Sequence, residues 1–82
     1  MNREEILDKL TDIFREIFNN QSLSIGLETT ANDVEGWDSL THIILVDTVE
    51  SAFSIKFDMD EVFEMKNVGD MVEAICTLVG GV

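Results

Sequence analysis

The sequence predicts an all-α fold, a small four-helix bundle with a long loop between helices 1 and 2 and a short third helix. Three observations predict it. Apolar residues recur at spacings of three and four in separate stretches, which gathers them on one face of a helix in each. Residues that favour helix starts (Asn2, Ser39 and Asn67) stand at the head of three stretches. The one alternating stretch, Leu23, Ile25 and Leu27, has no second strand to pair with.

In the first helix, Ile6, Leu10, Ile13, Phe14, Ile17 and Phe18 share one face. Asn2 caps it, Glu5 completes a capping-box pattern, and Asn19-Asn20 ends it after about 17 residues. Residues 19 to 37 show no long period, and a loop of this length in a small domain is usually functional. Its isolated apolar residues, Leu23, Ile25, Leu27 and Val34, are expected to pin it across the bundle, with room for one helical turn near residues 31 to 35.

The second helix is expected over residues 38 to 54. At about 100° per residue, His42, Leu45, Val46, Val49, Ala52 and Phe53 fall on one side. Leu40, Ile43, Ile44, Asp47 and Glu50 fall on the other. An ordinary surface helix has a polar outer face. Three large aliphatic residues near the start of this one are therefore either buried as well or waiting for a partner. A short helix follows over residues 58 to 65, carrying Val62 and Phe63. The last opens at Asn67, gathers Val68, Met71, Val72, Ile75, Leu78 and Val79, and stops at Gly80-Gly81.

Composition narrows the function. Eighty-two residues make one domain, spanning 1–82, and a chain this size buries only about 60% of its unfolded surface. That leaves little room for a substrate pocket beside a catalytic scaffold. Seventeen acidic residues against five basic give a net charge of -12, which repels nucleic acid and anionic membranes and favours basic partners. A hydrophobic share of 45% is too high for a disordered acidic tail. No apolar run is long enough to span a membrane, and Glu4, Glu5 and Asp8 stand where a secretory signal would be basic. The cytoplasm is the expected location, and a monomer the expected state.

Other chemistries fail on their own requirements. One cysteine, Cys76, and one histidine, His42, cannot assemble a structural zinc site, and no metal site is expected. Cys76 projects beside Val72 and Val79, so packing is expected of it rather than reactivity. A calcium loop beginning at Asp58 would need a polar ligand and then glycine where Val62 and Phe63 stand. A Gly-Asp-Ser-Leu hydrolase needs a glycine at Trp37, a strand before it and a distant base; His42 follows Ser39 by three residues, about 300° around the helix. His42 is instead expected to be packed and hydrogen-bonded.

That leaves Asp38-Ser39-Leu40, where the loop ends and the second helix begins. A serine there can simply cap the helix. A phosphate ester on it would equally suit the free N–H groups and positive dipole of a helix start. The surroundings are Leu27-Glu28-Thr29 upstream, and Phe53-Ser54-Ile55-Lys56-Phe57 and Asn67-Val68-Gly69-Asp70 downstream. With these flanks the chain resembles the acyl carrier protein family over nearly its whole length.

The resemblance implies that Ser39 carries a 4'-phosphopantetheine arm, transferred from coenzyme A by a phosphopantetheinyl transferase. The arm's thiol then holds acyl intermediates as thioesters for fatty-acid, polyketide or a specialised acyl-transfer pathway. The carrier itself catalyses nothing. Asp38 would help position the transferase, and Leu40, Ile43, Ile44, Asp47 and Glu50 would meet acyl-transferring, condensing or ligating enzymes through basic or apolar docking patches. Family members that serve fatty-acid synthesis usually carry acidic residues just after Ser-Leu, whereas this chain has Thr41 and Ile44. That departure favours apolar docking and a specialised pathway, unless Ile44 packs internally. Trp37 is either a loop anchor or a contact for the arm or a partner. An aminoacyl or peptidyl carrier is the alternative, although the single Gly36 departs from the Gly-Gly usual in peptidyl carriers. An acidic interaction module without an arm is the other.

Overall fold

In a computed structural model describing residues 2–80, the chain runs α1 (Arg3–Ile17), a single 3-10 turn (Ala31–Asp33), α2 (Ser39–Phe53), α3 (Met59–Glu64) and α4 (Val68–Leu78). No strand occurs among the described residues. Helix α1 begins as expected: the Glu5 amide donates to the Asn2 side chain at 2.8 Å, and Glu5 Oε1 accepts the Asn2 amide at 3.3 Å. It ends in a Schellman motif. The Asn20 and Asn19 amides donate back to the carbonyls of Arg15 and Glu16, with Asn19 at φ 51°, a conformation asparagine tolerates.

Helix α1 packs on both α2 and α4. Ile6, Leu10 and Phe14 lie wholly inside, against Leu45 and Val49 of α2 and Val68, Met71, Val72 and Ile75 of α4 in one apolar cluster. Burying such side chains contributes about 1.5–3 kcal/mol each. Cys76 joins this core, as its position in α4 suggested. Two residues assigned to inner faces lie outside: Ala52 is exposed, and so is much of Leu78. Both stand near the C-terminal end of their helix. Gly80 turns the chain out of α4 at φ 70°, and Gly81, expected to share that role, lies outside the described residues.

The long loop is tied down by its backbone as well as by its side chains. The carbonyls of Thr29 and Leu27 accept the amides of Val68 and Gly69 at 2.9 and 2.8 Å. Those amides belong to the first turn of α4, where a helix has no acceptors of its own. Leu27, expected to pin the loop by its side chain, is about half exposed. Leu23 and Ile25 are half-buried against the core, and Val34 is buried. Gly36, at φ 90°, makes the turn into Trp37.

Candidate functional site

The start of α2 is closed by Asp38, not by Ser39. Asp38 Oδ1 accepts the amides of Leu40 and Thr41, both at 3.0 Å. Thr41 completes the box: its Oγ1 accepts the Asp38 amide at 2.8 Å and lies 2.7 Å from the Gly36 carbonyl, to which it donates. The bonds from Thr41 and Leu40 hold the Asp38 carboxyl below the usual carboxylate range. Ser39 is therefore the first helical residue rather than the cap, and it is exposed. Two first-turn N–H groups expected to face a phosphate are already taken by Asp38. What remains to favour an anion there is the amide of Ser39 itself and the helix dipole.

Trp37, on the other side of the cap, is an internal anchor. Its ring stands edge-on to Phe14 with centroids 5.1 Å apart and lies near Phe18 at 6.5 Å. Only 8% of it is exposed. The indole N–H donates to Nδ1 of His42 at 3.1 Å, and Nε2 of His42 lies 3.0 Å from the Val62 carbonyl. His42 is thus packed and hydrogen-bonded, as expected, and joins the loop to α2 and α3.

A groove of about 370 Å³ runs beside Ser39, between the loop, α2 and α3; its lining includes Trp37, Ser39, His42, Phe63, Met65 and Lys66. A larger cleft, about 630 Å³, opens between α3 and α4 among Glu61, Glu64, Asp70 and Glu73. It does not reach Ser39. No His, Cys, Asp and Glu grouping suited to a metal ion occurs among the described residues.

The outer face of α2 is open. Leu40 is 72% exposed and Ile44 49%, so Ile44 does not pack internally. Ile43 and Asp47 are exposed beside them. Glu50 departs from the expected docking set: it is half-buried, and its Oε2 accepts the Phe57 amide at 2.8 Å, shaping the turn after α2. Phe63, expected beside Val62 on the short helix, is 68% exposed, and Met59, which no sequence pattern singles out, is 64% exposed. A six-residue helix that buries Val62 turns the adjacent Phe63 about 100° away from it.

Residues 8–75 match the family model for a phosphopantetheine attachment site. The chain is 32% identical over 75 residues to an acyl carrier protein of Acidothermus cellulolyticus, covering 92% of this chain and 89% of that protein. It is 33% identical over 79 residues to an acyl carrier protein of Exiguobacterium sibiricum, covering 96% of this chain and 100% of that one. The solution NMR structure of a holo acyl carrier protein from Geobacter metallireducens superposes with a TM-score of 0.84 at 40% identity, over 90% of this chain and 85% of that one.

Proposed function

The chain belongs to the acyl carrier protein family, and on that premise we propose that Ser39 is where its 4'-phosphopantetheine group is attached. When bound, that group supplies a thiol on a flexible arm, and the protein serves as a carrier rather than a catalyst. The observation that carries the assignment of Ser39 is the separation of duties at the helix start. Asp38 takes the capping bonds, so the neighbouring hydroxyl is exposed and can be esterified without opening the helix. The groove beside it offers an apolar wall in Phe63 and Met65 and a cation in Lys66, a fit for an arm that begins with phosphate and continues through apolar and amide groups.

Partner enzymes then meet the outer face of α2. Leu40, Ile43 and Ile44 offer apolar contact there, with Asp47 and Asp38 at its margins. Such a face suits a dedicated enzyme set in a specialised acyl-transfer pathway better than docking by charge alone.

Intact mass after incubation with coenzyme A, Mg²⁺ and a broad phosphopantetheinyl transferase tests the assignment. A gain of one phosphopantetheine unit, absent in Ser39→Ala, is expected. No gain in the wild type, or the same gain in Ser39→Ala, overturns it.

A further inference from the structure

We infer that His42, as the neutral imidazole with its proton on Nε2, is a positioning residue for the loading of Ser39; the inference rests on the assignment of Ser39 above. An indole N–H can only donate, so Nδ1 of His42, 3.1 Å away, must present a lone pair. A carbonyl can only accept, so Nε2, 3.0 Å from the Val62 oxygen, must carry the proton. One protonation state satisfies both partners. The other neutral tautomer loses both bonds, and the imidazolium loses the bond to Trp37 while turning an N–H against the indole N–H.

The two bonds hold the groove beside Ser39 together. Trp37 comes from the loop, His42 from α2 and Val62 from α3, and all three line the groove with Ser39. Helix α3 has six residues, too few to be stable alone. Its Val62 carbonyl lies among the last ones of the helix, which have no partner within it. The Lys66 amide, which would have continued the helical pattern to Val62, donates instead to Asp70 Oδ2 at 2.9 Å. His42 fills that gap. On its other side it holds the ring of Trp37, whose backbone leads through Asp38 directly into Ser39.

The charged groups around this arrangement are few. Asp38 at the start of α2 and Lys66 beyond α3 line the same groove as His42. From α3 the groove receives the neutral Val62 and Phe63, and α1 faces Trp37 with Phe14 and Phe18. Without the bond from Trp37 to His42 the indole is freed and the turn that presents the serine loosens.

The test compares loading kinetics of the wild type, His42→Gln and His42→Leu with coenzyme A, Mg²⁺ and one transferase. Glutamine can accept from the indole with its carbonyl and donate to Val62 with its amide. His42→Leu, which loses both bonds, is expected to load at least roughly 10-fold more slowly, equivalent to about 1.4 kcal/mol. His42→Gln is expected to restore loading. Nitrogen NMR of the wild type is expected to show a bare Nδ1 and a protonated Nε2. A His42→Gln that fails to restore loading, a protonated Nδ1, or a folded His42→Leu that loads at the wild-type rate overturns the role of His42 alone. If His42→Leu does not fold, His42→Gln and the NMR decide. Failure of the wild type to load overturns the assignment of Ser39 and this inference with it.

Discussion

The amide of Gly69 donates to the carbonyl of Leu27 at 2.8 Å, and a Cβ on Gly69 would lie 2.8 Å from that same oxygen. The contact joins the long loop to the first turn of α4, and only a residue without a side chain permits it. Alanine normally favours a helix over glycine by up to about 1 kcal/mol. Here Gly69→Ala is expected to destabilise instead, by about 1–3 kcal/mol, because the atom in the way is backbone. In a domain of this size the thermal midpoint falls roughly 4–8 °C per kcal/mol. Gly26→Ala, whose Cβ meets nothing nearer than Thr29 Oγ1 at 4.0 Å, is the control and should shift it little. A stabilised Gly69→Ala would show the loop to be free of the helix.

Phe14 is wholly buried and carries the edge of Trp37. Phe14→Ala is expected to cost about 3–5 kcal/mol. Against the 5–15 kcal/mol of a typical domain, that leaves the variant near unfolding. Urea denaturation followed by the fluorescence of Trp37, the one tryptophan, measures the loss.

Asp38 predicts an acid-side signature. Its folded-state pKa is depressed by the bonds from Thr41 and Leu40, so its contribution is fully present above the unfolded carboxylate value, near 4. It is lost as pH falls through the lower, folded value. Asparagine caps nearly as well without titrating. The stability of the wild type relative to Asp38→Asn, measured by thermal melts from neutral pH downward, should therefore decline below about pH 4. Taking the difference removes the shared effect of the other carboxylates. A constant difference would mean that the capping bonds do not depend on the charge.

Ile44→Glu tests the docking face. With half its surface in solvent, Ile44 should tolerate the change within about 0.5 kcal/mol of stability. Burying Ile44 against a partner contributes about 1.5–3 kcal/mol, so acyl transfer by a cognate enzyme should weaken by roughly 10- to 100-fold, mainly in KM for the carrier. Undiminished transfer would sink apolar docking through this residue.

A net charge of -12 on so small a surface repels itself, and salt screens that repulsion. The midpoint of thermal unfolding should rise between about 10 and 150 mM NaCl, where the screening length falls from roughly 30 to 8 Å. The exposed Arg3–Glu73 pair across α1 and α4 works weakly in the opposite sense. A midpoint that falls with salt would assign the pair more weight than the net charge.

The helices were legible because burial imposes a period on the chain. Ile6, Leu10 and Phe14, or Val68, Met71, Val72 and Ile75, declare a face without reference to anything distant. The division between Asp38 and Ser39 was not legible, since both residue types cap helices well and only the geometry of Thr41 decides between them. The loop's pinning by Leu23, Ile25 and Val34 was legible from their apolar side chains, whereas the backbone bonds from Val68 and Gly69 to Thr29 and Leu27 leave no side-chain pattern, and at Leu27 it is the carbonyl that anchors. Glu50 had the spacing of a surface acid, but its bond to Phe57 depends on how the chain turns after Ser54, at φ 55°.

The capping of α2 by Asp38 also separates two histories of the same molecule. The bonds that close the helix belong to Asp38, so a group esterified to the neighbouring hydroxyl, as proposed for Ser39, would replace none of them. Loading and unloading would then leave the fold's own bonds untouched.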